Sequence, residues 1–115
     1  MKVQHYTATK AEPVHDVPGV TVRWVINEPD GAPHFAMRVF EVPPDKASPF
    51  HAHWSEHEVF ILAGKGHVRT EGNDRPFEEG YVVFVPGGEK HQFVNDGDDT
   101  LRFICVVPHA SYEPK

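Results

Sequence analysis

Residues 20–26 alternate in character, with Val20, Val22, Trp24 and Ile26 on one side and Thr21, Arg23 and Val25 on the other. That period of two is what a half-buried β-strand imposes, because successive side chains point to opposite faces. Asn27-Glu28-Pro29-Asp30-Gly31 then supplies a turn. Further short runs rich in apolar and β-branched residues follow at 35–42, 50–53, 57–62 and 66–70. Glu71-Gly72-Asn73-Asp74 carries hairpin-turn chemistry before Pro76 and Phe77, and later runs occupy 81–85, 91–94 and 100–107. Proline, glycine, asparagine and aspartate punctuate every interval, and no long segment keeps a helical period. The pattern predicts an all-β chain, a barrel or sandwich that hides its strand edges by closure or double-sheet packing. One domain of residues 1–115 is expected, with a core at about 20–108. Residues 1–19, with Pro13, Pro18 and Gly19, read as an arm or edge strand, and 109–115 as a frayed tail.

Alternation also assigns faces. In 100–107 the charged Arg102 should face solvent, which turns Leu101, Phe103, Cys105 and Val107 inward. The runs 59–63, 81–85 and 103–107 are apolar on both faces. Part of the outer surface therefore needs covering, most simply by a second copy of the chain, so a homodimer is expected.

Charge and composition narrow the partners. The net charge of −6 and the lack of a Lys/Arg cluster argue against nucleic acid, whose nonspecific affinity comes from displaced counterions. No apolar run approaches the roughly 20 residues of a membrane span, and the first residues lack a signal peptide's apolar stretch, so no membrane partner and a cytoplasmic location are expected. The single cysteine, Cys105, has no internal disulfide partner, which fits a reducing compartment.

Nine histidines among 115 residues stand out. His51 and His53, two apart on an extended segment, project to one side with Ala52 on the other. His57 keeps the same parity, provided that Trp54-Ser55-Glu56 does not bulge, and His91 arrives from a separate strand. Imidazole is the commonest protein ligand for first-row divalent ions. Spacing of this kind is nevertheless a weak signal in so histidine-rich a chain, and His5, His15, His34, His67 and His109 read as ordinary surface or core residues.

A second pattern strengthens the first. The segment from Gly80 through Pro86, Gly88 and His91 to Asn95 resembles, at every fixed position, the second motif of the cupin superfamily, Gly-x5-Pro-x-Gly-x2-His-x3-Asn. His51-Ala-His53-Trp-Ser-Glu-His57, running on to Gly64, resembles the first motif, with Asp45 where the family has its leading glycine and His57 where it usually has glutamate. The resemblance covers about residues 35–107 and is nearest to small single-domain bacterial cupins with an all-histidine, manganese-type site. It implies a cupin double-stranded β-helix, a jelly-roll-like barrel, with one divalent metal per chain inside, held by His51, His53, His57 and His91. Glu58 is the alternative to His57, because the family also permits the longer spacing. Parity with His53 favours His57.

Four neutral imidazoles would leave the charge of a dication uncancelled, so the site should prefer anionic or enolate ligands. Ligand softness favours iron, nickel, copper or zinc, whereas the resemblance points to manganese. Manganese and iron therefore come first, then nickel, zinc, copper and cobalt. Arg38, Phe103 and Cys105 are candidate pocket residues, each with an ordinary structural reading beside it, and Trp54 could wall the mouth. A small-molecule substrate is expected, and three functions compete. The first is an oxygenase of dioxygenase type acting on a small anionic or enolizable substrate. The second is a metal-dependent isomerase or lyase, which would need a proton-transfer group such as Glu58 or Tyr81 turned inward. The third is a noncatalytic small-molecule-binding module.

Overall fold

Every second residue of the last strand is buried, with Leu101, Phe103, Cys105 and Val107 inside and Arg102 outside. The computed structural model describes residues 1–114 and contains nine strands: β1 (Glu12–Pro13), β2 (Thr21–Ile26), β3 (Phe35–Val42), β4 (His57–Ala63), β5 (Lys65–Thr70), β6 (Arg75–Glu78), β7 (Val82–Val85), β8 (His91–Asn95) and β9 (Leu101–Pro108). They form two antiparallel sheets, one of order β1-β2-β3-β9-β4-β7 and one of order β6-β5-β8. This is the all-β barrel architecture that the alternation predicts. No helix among the described residues is long and apolar enough to cross a membrane.

Directly opposed residues of paired strands share a face, so the register of the larger sheet sorts its inward side chains into rows. Val42 faces Leu101 at the closed end. Val22, Phe40, Phe103 and Ile61 form the next row. Trp24, Arg38, Cys105 and Val59 form the row above it, and Ala36 and Val107 lie beyond. The smaller sheet is graded the same way along β8, where Asn95, Phe93 and His91 are all buried. The barrel is thus dry and apolar at one end and carries its nitrogen and sulfur chemistry at the other. Phe93, Phe103 and Phe40 stack across the middle, with centroids 4.7 and 5.2 Å apart, in the offset-stacking range for aromatic pairs.

Asn95 links the sheets at the closed end. Its Nδ2 donates to the carbonyls of Val42 and Asp99, each at 2.9 Å, and its Oδ1 accepts from the Gly97 amide at 2.8 Å. The same side chain thus closes the turn after β8 and fastens β8 to β3.

The segment at 50–53 departs from expectation, because it is not a strand. Only isolated bridges at Ala47↔Val94 and His51↔His91 connect it to β8, and their registers differ by one residue. Pro49 between them has no N–H to extend a ladder. Ser48 instead donates its N–H to the Phe93 carbonyl, and its hydroxyl oxygen accepts from the Phe93 N–H, each at 2.9 Å. At the N-terminus β1 is a two-residue edge strand on β2, while Val14 and Val17 pack against the core. The tail is folded back. His109 bonds Glu28 at 2.6 Å, and Tyr112 bonds His34.

Replacing Asn95 with alanine would leave two buried or half-buried carbonyls and one amide without their partner, at about 1 to 3 kcal/mol for the dominant unsatisfied group. Asn95→Ala is expected to lower the urea-unfolding free energy by about 2 to 3 kcal/mol, measured as a shift in midpoint with the slope unchanged.

Candidate metal centre

Three of the four predicted histidines converge at the open end. One ring nitrogen from each of His53, His57 and His91 lies within 4.8 Å of the others. His53 Nδ1 is 3.2 Å from His57 Nε2, and the ring centroids are 5.2 Å (His53–His57), 5.8 Å (His53–His91) and 5.0 Å (His57–His91) apart. An ion about 2.1 Å from each nitrogen needs donors roughly 3 to 3.5 Å apart, so the trio fits one with small ring movements. His51 stands just outside it. Its ring is 5.8 Å from that of His53, and it lines the same cavity.

The main chain holds these residues together. His51 and His91 exchange both backbone hydrogen bonds, at 3.1 and 3.0 Å, and the Gly88 amide donates to the His53 carbonyl at 2.6 Å. Gly88 has φ +83, a left-handed conformation suited to glycine. A Cβ on Gly87 would collide with the Trp54 carbonyl oxygen. The glycine pair before His91 therefore lets the His53 loop lie directly on it. Asp45, at the position of the missing family glycine, also has positive φ, +64, which aspartate tolerates better than most residues.

Ring orientation follows from the outer partners. The Glu89 carbonyl is 2.9 Å from His91 Nδ1, which fixes the proton there and leaves Nε2 free. On His57, Nε2 faces His53, while Nδ1 lies 3.4 Å from Cys105 Sγ and 3.4 Å from Arg38 Nη2. Arg38 also donates to Cys105 Sγ at 3.0 Å. Since a guanidinium only donates, the sulfur is the acceptor that both the arginine and an Nδ1-protonated His57 address. Arg38 and Cys105, opposed across β3 and β9, thus both face inward beside the trio. Phe103 lies one row deeper, below the histidines, and packs in the aromatic stack.

Glu58 occupies the outer face of β4, exposed, while His57 is buried. The one-residue difference in parity places the imidazole inside and the carboxylate outside. Tyr81 is also exposed and does not line the histidine cavity. Trp54, partly exposed, lines a second cleft and not the histidine cavity. The histidine cavity has a volume of about 210 Å³; besides the four histidines its walls include Arg38, Phe40, Phe93, Phe103 and Cys105, with Val14 and His15 of the N-terminal segment at its edge. Among the described residues no carboxylate, lysine or tyrosine lines it. Sequence reasoning missed the contribution of the N-terminal segment, because nothing in its composition distinguishes an arm from a wall.

Burial and neighbouring positive charge favour the neutral form of His53 and His57. His57 is pushed down to about 3, first by burial and then by Arg38, His91 and His53. His53 is lowered as well, again by burial first and then by His91, His51 and Arg38. Burial raises the Cys105 thiol, against a smaller opposing effect of Arg38. Glu58 is raised by partial desolvation and by its neighbour Glu56. Neutral imidazoles are the form that binds metal.

A model of the cupin domain matches residues 38–107. An oxalate-binding protein of Thermotoga maritima is 35% identical over 80 residues, 66% of each chain. A 1-methylthio-D-xylulose 5-phosphate methylsulfurylase of Rhodospirillum rubrum is 36% identical over 82 residues, 69% of this chain and 51% of that protein. The chain thus spans about two thirds of the first relative and half of the second. Among solved structures, the polyketide cyclase RemF of Streptomyces resistomycificus superposes with a TM-score of 0.86 at 38% identity, over 94% of this chain and 79% of the other.

The depressed His57 has a consequence for stability. Between its ordinary value of 6.5 and about 3, the unfolded chain takes up a proton that the folded chain refuses, so stability is complete above pH 6.5 and falls as the pH drops through that window. The slope contributed by His57 is at most about 1.4 kcal/mol per pH unit. Urea unfolding of chelator-treated protein at pH 7 and pH 5.5 is expected to show the loss, and His57→Gln to flatten it.

Proposed function

This chain belongs to the cupin family, and we propose that it is a metal-dependent enzyme of dioxygenase type acting on a small anionic, enolizable substrate. The observation that carries this reading is the imidazole trio at the head of an aromatic-lined cavity that has a cation, Arg38, and, among the described residues, no carboxylate. His53, His57 and His91 are the proposed ligands, with His51 as the fourth after a small swing of its ring. Manganese and iron rank first, ahead of nickel, zinc, copper and cobalt.

When bound, the ion supplies a Lewis acid for a carbonyl or enolate oxygen and, if redox-active, a route for electrons between substrate and dioxygen. The protein's own contribution is orientation and charge. Arg38 meets the substrate's negative end, and the three phenylalanine rings exclude water from the cavity. His91 and His57 are held in one orientation by Glu89 and Cys105. Because the cavity offers, among the described residues, no Glu, Lys or Tyr to move a proton, chemistry that relies on dioxygen suits it better than a side-chain acid–base cycle. A second reading, redox-neutral enolate chemistry with carbon–carbon bond formation, is favoured by the likeness to a polyketide cyclase over nearly the whole chain.

We also assign the outer face of β4, β7 and β9 to a second copy of the chain. Phe60, Val82 and Phe84 are exposed there beside Ile104 and Val106, and β7 is an edge strand. Cys105, the sole cysteine and a buried free thiol, fits a reducing compartment, and we place the protein in the cytoplasm.

Elemental analysis of protein expressed without added metal is expected to find about one manganese or iron per chain, and His91→Ala to reduce it at least tenfold. Oxygen consumption against diketones, catechols and small hydroxy acids should accompany turnover. Turnover without oxygen uptake would select the redox-neutral reading, and retention of oxalate without turnover would select a binding protein. Sedimentation should give the mass of two chains at micromolar concentration, and Phe84→Glu should reduce it to one.

A further inference from the structure

The proposed chemistry uses the inner cavity, yet two of the three clustered histidines, His53 and His57, stand in a partition between two spaces. Arg38, His53 and His57 line both the inner cavity and a separate cleft of about 620 Å³. Small-molecule sites usually measure roughly 300 to 1,000 Å³, so the cleft is large enough for the body of a substrate. The inner cavity, at about 210 Å³, takes only a small fragment.

Four features of the cleft describe its occupant. Trp24 and Trp54 both line it and are 37% and 38% exposed, leaving indole faces in water that a ligand would cover. The Arg38 guanidinium carbon lies 5.2 Å from the Trp24 ring centroid. Among the described residues Arg38 forms no salt bridge, whereas Arg23 and Arg102 both pair with Glu41, and Arg38 Nε is buried without a hydrogen-bond partner. Its charge is therefore stacked and uncompensated. Glu113 and Glu28, the latter bonded to His109, stand elsewhere on the same wall, so a second negative group on the ligand would meet carboxylates there.

We propose that this cleft is the substrate-body site and that it selects a planar, unsaturated monoanion. The flat body lies against Trp24 and Trp54, and its one anionic end reaches Arg38 and the trio. Aromatic carboxylates and conjugated polycarbonyl enolates have that shape and charge. Sugar phosphates do not, being nonplanar and strongly anionic. This assignment rests on the functional reading above and names the substrate class for it.

The test is calorimetric titration of the full chain, manganese-loaded and chelator-treated, with 2-naphthoate, acetate and glucose 6-phosphate. The loaded protein is expected to bind 2-naphthoate at least about tenfold more tightly than acetate, and glucose 6-phosphate no better than acetate. Trp54→Leu, in a loop, should weaken 2-naphthoate about tenfold and leave acetate unchanged. Trp24→Leu should do the same, Trp24→Phe should largely restore binding, and Arg38→Gln should weaken both carboxylates. The preference for 2-naphthoate over acetate should survive chelation, so failure of the metal assignment would appear in the elemental analysis and not here. Equal affinity for the two carboxylates, no binding of 2-naphthoate, or unchanged affinity in both tryptophan-to-leucine variants would overturn the proposal.

Discussion

The register between β3, β9 and β4 governs the molecule. Opposing Arg38 to Cys105 and Cys105 to Val59 puts a guanidinium and a thiol on the inward face, one row above the packed phenylalanines. A slip of one residue would send Phe103 and Ile61 to solvent and bring Arg102 into the core, so the hydrophobic rows and the polar end enforce each other. Burial of Phe40, Phe93 and Phe103 is thus also what aims Arg38 at the histidines.

The same logic decides which parts of the site were legible in the sequence. The strict period of two in β9 gave the inward set without error, because a single charge at Arg102 fixes the phase. Parity also separated His57 from Glu58, since adjacent residues on a strand cannot both face the barrel. The stretch at 50–53 failed for a local reason. Pro49 interrupts pairing with β8, and two isolated bridges of different register replace a ladder. His51 and His53 still line one cavity, but His51 is tied by its backbone to His91 and stands outside the tightest cluster.

Less of the surroundings could be read. Trp24 belongs to the inward row through its pairing with Arg38, although the register shift after it disturbs the simple alternation of β2. The tail reads as frayed, yet His109 and Tyr112 find Glu28 and His34 across the fold. Those contacts join residues some 80 positions apart, and no local pattern announces them. The cleft that Glu28 and His109 help to wall is a product of tertiary assembly alone.

The backbone bonds between His51 and His91, and from Gly88 to His53, give the centre a particular character. Its span is bounded by the main chain. The backbone thus works like the body of a gauge and the imidazole rings like its jaws: an ion entering here would be sized by ring rotation alone, within limits that the main chain sets.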